Sequence, residues 1–119
     1  MPDASNIDRY NAEWLAAWTA KDVPTLLTFY AEDCVYHDPQ TAAGITGHEQ
    51  LRTYLEGLFA ATPAMTYTPD EVWATLDGYC GRWYCYVEGG GRLRGFDLVV
   101  LDCDRIRLNE VYVNELPPA

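Results

Sequence analysis

Positive charge is scarce in this chain. Eight lysines and arginines stand against 18 aspartates and glutamates, a formal net charge of −10 over 119 residues. No basic stripe is available to release counterions from a phosphate backbone, so nucleic acid and anionic membrane surfaces are discounted as partners. Long apolar runs are missing too. None approaches the roughly 20 residues of a membrane-spanning helix. Nor does a basic and apolar leader open the sequence, so a cytoplasmic protein is expected. Histidine occurs only as His37 and His48. The four cysteines, Cys34, Cys80, Cys85 and Cys103, form no C-x-x-C pair and no cluster with histidine. That pattern argues against zinc and for free thiols. No metal and no organic cofactor are expected.

What is present points to one folded domain over residues 1–119. Hydrophobic residues make up 49% of the chain, and nine tyrosines and four tryptophans exceed what a minimal core needs. Their apolar bodies and polar tips suit a pocket or an interface.

The first half carries helical spacing. Ile7, Tyr10, Trp14, Leu15 and Trp18 make one stripe, and Val23, Leu26, Leu27 and Tyr30 make a second. Between them "KDVP" breaks the helix, with Asp22 as N-cap and Pro24 in the new first turn. "CVYHDP" reads as a short strand stopped by Pro39, and "QTAAGIT" as a loop. Thr46 and Glu49 have capping-box spacing before a third helix, whose apolar face is Leu51, Tyr54, Leu55, Leu58 and Phe59.

After Pro63 the period changes. Four stretches rich in aromatic and β-branched residues alternate with turn signals at Asp77-Gly78, Gly89-Gly90-Gly91 and "DCD" at 102–104. Three N-terminal helices packed on a curved, mostly antiparallel sheet follow from this order. That is an α+β fold. Only the "ELPPA" tail is expected to fray.

The stretches "WLAAWTAKDVPTLLTFYAEDCVYHDP" (14–39), "GHEQLRTYL" (47–55) and "RGFDLVVLDCDRIRLNEVYVN" (94–114) resemble the NTF2-like superfamily. More narrowly they resemble its SnoaL-like polyketide cyclases and ketosteroid isomerases. The resemblance covers nearly the whole chain. It implies a cone-shaped apolar pocket between helices and sheet, and a homodimer formed through the sheet's outer face. It also implies catalytic roles for two acids. Asp38 falls where the isomerases keep a proton-shuttling base. Asp97 falls where they keep a neutral carboxylic acid that donates to the developing oxyanion, and where the cyclases keep their acid/base aspartate. The isomerase's oxyanion tyrosine falls on Trp14, and the tyrosine supporting it falls on Leu55, so that oxyanion hole is at best half present.

The residues support these roles unequally. Asp38 precedes a proline and is equally at home accepting bonds from a turn. Asp97 lies inside "GFDLVVL", with Leu93, Gly95, Val99 and Leu101 on its face and Phe96, Leu98 and Val100 on the other. Both faces are apolar, so its carboxyl is expected to be buried, and burial favours the neutral form. His37 is expected to be packed or on the surface, and His48 to be exposed. The aromatics Trp14, Trp18, Tyr30, Tyr54 and Phe59 are expected to line a pocket for a hydrophobic small-molecule ligand. Arg82 and Tyr84 reach either that pocket or solvent, and Asn109 offers it a polar contact.

The expected activity is acid/base proton transfer on a hydrophobic, ring-bearing carbonyl compound: isomerisation, cyclisation or dehydration. The alternative is a non-catalytic module holding a hydrophobic molecule or a partner protein. Epoxide hydrolases of the limonene type offer a third chemistry. Tyr36 matches their tyrosine, but Asp38 stands where they have asparagine and Tyr84 where they need a second aspartate.

Overall fold

The computed structural model describes residues 4–117. Helix α1 (Ala4–Ala20) is followed by α2 (Val23–Phe29), β1 (Tyr30–His37), β2 (Ile45–Thr46), α3 (Gly47–Ala61), β3 (Met65–Ala74), β4 (Gly78–Val87), β5 (Gly91–Asp102) and β6 (Arg105–Glu115). Three helices therefore pack on one open six-stranded sheet of order β2-β1-β6-β5-β4-β3. Strands β3 to β6 form an antiparallel meander, and β1 joins β6 in parallel.

The ends of the helices follow from local chemistry. Helix α1 stops at Lys21, which sits in the left-handed region at φ 54°. Lys21 N–H reaches Trp18 O at 3.1 Å and Asp22 N–H reaches Ala17 O at 3.1 Å, the bond pair of a Schellman motif with lysine in the place glycine usually takes. The Lys21 ammonium then clamps the far end of α3, donating to Phe59 O, Thr62 O and Pro63 O at 3.2, 2.7 and 2.8 Å. Asp22 caps α2, accepting from Thr25 N–H at 3.1 Å, with Pro24 in the first turn.

The capping box expected at Thr46 and Glu49 does not form. Thr46 is a strand residue paired with Val35, and its side chain makes no cap bond. Gln50 reaches back instead, accepting from Thr46 N–H at 3.1 Å. That pairing also turns the end of the expected loop into β2.

In the meander, Pro69 lies on β3, an edge strand, where its missing N–H is tolerated, and the β3–β4 register shifts between Pro69 and Val72. Cys103, at φ 58°, makes the tight turn between β5 and β6. Gly78 serves packing: a Cβ there would lie 2.0 Å from Val99 O. Of the tail, Glu115 ends β6 and Leu116 N–H still bonds Arg92 O at 2.9 Å; residues 118 and 119 lie outside the described chain.

The core lies between the helices and the sheet's inner face, where Leu26, Leu51, Leu55, Val99 and Ile106 are wholly buried. All four cysteines are free thiols. No helix among the described residues is long and apolar enough to cross a membrane.

Candidate functional site

A cavity of about 390 Å³ opens between the helices and the inner face of β4, β5 and β6. That is within the roughly 300–1,000 Å³ of small-molecule sites. Strand alternation decides what faces it. On β5, Gly95, Asp97 and Val99 turn inward while Phe96 is 40% exposed. Asp97 itself is 3% exposed and lines the cavity.

Its carboxyl is held by one donor on each oxygen. Trp83 Nε1–H donates to Oδ1 at 3.1 Å, and Asn109 Nδ2–H donates to Oδ2 at 3.3 Å. Burial raises its pKa to about 7, against the pull of these two bonds. Each oxygen keeps an acceptor position open. Trp83 reaches Asp97 because it lies over Gly95, its cross-strand partner, where a Cβ would sit 2.0 Å from the indole ring. Asn109 is aimed in turn by Tyr30, whose hydroxyl donates to Asn109 Oδ1 at 2.8 Å.

Asp38 lines the same cavity in a different setting. Its Oδ2 accepts from Tyr36 OH at 2.9 Å and from Tyr54 OH at 2.5 Å. Its Oδ1 accepts from Gln40 N–H at 2.9 Å and from Thr41 OH at 3.0 Å. Four donors fill the roughly four lone-pair positions of a carboxylate. Burial, and then the bond to Asp38, push the Tyr54 phenol above its ordinary pKa; burial does the same for Tyr36. Both phenols therefore keep the protons they give to Asp38.

A continuous row of rings joins the two acids. Tyr54 packs on Tyr36 with centroids 5.8 Å apart, and Tyr36 stacks on Trp18 at 6.4 Å and 25°. Trp18 meets Tyr67 at 6.0 Å, and Tyr67 meets Trp83 edge-on at 5.0 Å. Phe59 packs edge-on against Trp18 at 5.5 Å. All six rings line the cavity.

Of the residues singled out in the sequence, Asp38, Asp97, Trp18, Tyr54 and Phe59 meet in this one space. The other five do not line it. Trp14 and Tyr30 are core, 1% and 0% exposed, with Trp14 wedged against Trp18 and Tyr30. The Trp14 indole N–H is buried and makes no well-formed hydrogen bond among the described residues. Tyr30 and Asn109 stand behind Asp97 and orient it. Arg82 and Tyr84 turn to the sheet's outer face, because β4 points Tyr79, Gly81, Trp83 and Cys85 inward. There Arg82 pairs with Asp70 at 2.6 Å and lies 5.3 Å from the Trp73 ring.

His48 is half-buried rather than exposed, since its Nε2 donates to Tyr30 O at 2.7 Å. His37 is half-buried and packs over Gly44, where a Cβ would meet its ring at 2.6 Å.

Sequence reading missed Trp83 and Tyr67, and undervalued Tyr36. An aromatic residue across from a strand glycine was a usable signal for Trp83 once register is known. Among the described residues, no group of three or more His, Cys, Asp or Glu side chains is placed to hold a metal ion.

Residues 12–109 match the family described as the SnoaL-like domain. No curated protein sequence matches the chain. Among solved structures, a SnoaL-like protein of unknown function from Burkholderia thailandensis superposes with a TM-score of 0.76 at 16% identity, covering 98% of this chain and 100% of that one. An NTF2-like protein from Mesorhizobium loti gives 0.73 at 22% identity, over 96% and 97%. A protein with a ketosteroid isomerase-like fold from Catenulispora acidiphila, solved in complex with trimethylamine, gives 0.72 at 22% identity, over 83% and 80%. The architecture is thus the NTF2-like α+β fold.

Proposed function

Because this chain belongs to the SnoaL-like domain family, we propose that it is a small cofactor-free enzyme acting by proton transfer on a hydrophobic, ring-bearing carbonyl compound. Asp97 is the group that takes and returns the proton. One observation carries this reading: a carboxyl 3% exposed on an aromatic cavity wall, with an open acceptor position on each oxygen and a pKa near neutrality. Proton transfer is most efficient when the group's pKa lies near the working pH.

The step balances on this one side chain. As carboxylate, Asp97 accepts a proton from the carbon beside the carbonyl, and the C–H electron pair moves into an enolate. As neutral acid it returns that proton at another atom of the conjugated system, which completes an isomerisation. Ring closure and dehydration draw on the same two states. Asp38, expected from the sequence to abstract the proton, is assigned a different task here. With four donors on its carboxylate, one of them would have to leave before it could accept a fifth.

The test is deuterium exchange into 2-tetralone, a flat apolar ring ketone, followed by NMR. Wild-type protein accelerates exchange over buffer, and Asp97→Asn loses about a hundredfold or more of that acceleration. An Asp97→Asn protein within about tenfold of wild type sinks the assignment.

A second reading, a non-catalytic module for a hydrophobic molecule, is favoured because the two phenols beside Asp38 have no proton to spare for an oxyanion. The phenol protons of Tyr36 and Tyr54 go to Asp38, and Trp14 does not reach the cavity. Binding of 2-tetralone without any acceleration of exchange selects this reading.

The chain is further proposed to form a homodimer through the sheet's outer face. Phe96 and Tyr112 are cross-strand partners there, 40% and 60% exposed, and Trp73 packs 5.9 Å from Phe96. Such a band suits an interface core. Light scattering that gives a monomer at about 100 µM excludes a stable dimer.

A further inference from the structure

We propose that the Asp38 end of the cavity recognises a hydrogen-bond donor, so that the ligand is an aromatic or alicyclic compound bearing a hydroxyl at the end away from the group handled by Asp97. The inference rests on the reading of this cavity as the ligand site, and it deepens that reading by naming the ligand's second polar group.

The argument is an inventory of protons. Tyr36 and Tyr54 each have one hydroxyl proton, and both are given to Asp38 Oδ2. Asp38 Oδ1 is filled by Gln40 N–H and Thr41 OH. The carboxylate therefore has no proton to offer and no empty acceptor position. The two phenol oxygens have no proton to offer but retain lone pairs. Tyr36, Tyr54 and Asp38 all line the cavity, and Tyr54 is the half-buried, more accessible phenol.

A ligand group meeting Asp38, Tyr36 and Tyr54 meets acceptors only; the Gln40 side chain beside them is exposed to solvent. A hydroxyl is satisfied there. A carbonyl or ether oxygen placed there faces other lone pairs and loses its water without replacement, a penalty that discriminates strongly in a closed site. The surrounding charge points the same way, since a carboxylate behind two phenols polarises their oxygens toward a donor. Asp97 differs in kind: when protonated it can donate to a carbonyl. The two ends of the row of rings thus ask for opposite polarity, a donor on the ligand at Asp38 and an acceptor at Asp97.

Calorimetry with 2-naphthol and 2-methoxynaphthalene tests this. The two share one frame and differ in the hydroxyl proton. Titrations at about pH 5.5, below the value near 7 at which Asp97 titrates, keep Asp97 from serving as a carboxylate acceptor. Wild-type protein is expected to bind 2-naphthol at least about tenfold tighter. Asp38→Ala frees both phenol protons, so the preference falls below about threefold or reverses, whereas Asp97→Asn keeps it.

Equal affinity of the two probes for wild type overturns the proposal. So does a preference that survives Asp38→Ala or is lost in Asp97→Asn. If Asp38→Ala does not fold, the ¹³C shifts of Tyr36 Cζ, Tyr54 Cζ and Asp38 Cγ in wild type decide. Movement of these with 2-naphthol and not with 2-methoxynaphthalene supports the proposal, and silence overturns it. Failure of both probes to bind overturns the apolar-ligand reading as well. Clear 2-naphthol preference in a protein that leaves 2-tetralone unexchanged keeps this inference and removes the catalytic one.

Discussion

Two carboxyl groups line one cavity, and their surroundings give them opposite characters. Asp38 stands where β1 runs into a turn, ringed by four donors from its own turn, its own strand and α3. Asp97 stands mid-strand on the sheet's inner face, with two donors and a wall of rings. The donors around Asp38 spend its capacity to bond. Burial with few donors leaves Asp97 poised between charged and neutral. The same side chain is thus a fully bonded anchor at one end and a buried, sparsely bonded acid at the other.

The largest effect that separates them is catalytic. Asp97→Asn is expected to remove about a hundredfold or more of any proton-transfer activity, and Asp38→Asn less than about tenfold. The reverse order, read from initial rates of 2-tetralone exchange, would invert the comparison.

Stability against pH separates them next. The folded chain holds the Asp97 proton up to about pH 7, whereas a free aspartate titrates at 3.8. Between those values the folded state binds the extra proton, so folding becomes less favourable as the pH rises. The loss is on the order of 4 kcal/mol by pH 8. Urea unfolding of wild type and Asp97→Asn at pH 4 and pH 8 should show a pH-dependent gap that opens in favour of the variant. A gap that does not change with pH removes the raised pKa.

Gly95→Ala is expected to displace the Trp83 ring and destabilise the fold by about 1–3 kcal/mol. Trp83→Phe, which removes the N–H together with one ring of the indole, is expected to move the Asp97 titration further upward, because that bond favours the charged form. A downward shift in the carboxyl ¹³C titration would show that the indole desolvates more than it bonds. The smallest effect belongs to Tyr54→Phe. It removes one of four donors from Asp38 and is expected to cost about 1 kcal/mol in urea unfolding. A much larger loss would mark the anchor as a linchpin of α3 packing.

Much of the fold was legible in the residues. Helical spacing through Trp14, Trp18, Leu51 and Leu55 and strand character after Pro63 suffice for three helices on a meander, because these periods decide which faces can be buried. Asp97 was legible for the same reason: both faces of its strand are apolar, so either choice buries it. Arg82 and Tyr84 were not, because β4 carries aromatics on both faces and its sequence alone leaves the inner one open. The capping box failed at Thr46 because the Gln50 side chain, one residue beyond Glu49, takes the Thr46 N–H that the box would have used.

What the sequence determined by itself is the set of local preferences: which segments coil, which extend, where Asp22 caps, and that a carboxyl would be trapped in an apolar strand. What only the tertiary structure decided is which groups share their protons. Tyr54 comes to Asp38 from α3, and Trp83 comes to Asp97 from the neighbouring strand across Gly95. Hydrogen bonding and desolvation depend on distances of a few ångströms between residues far apart in the chain. The roles of the two acids are therefore written in the packing, whereas the presence of two acids is written in the chain.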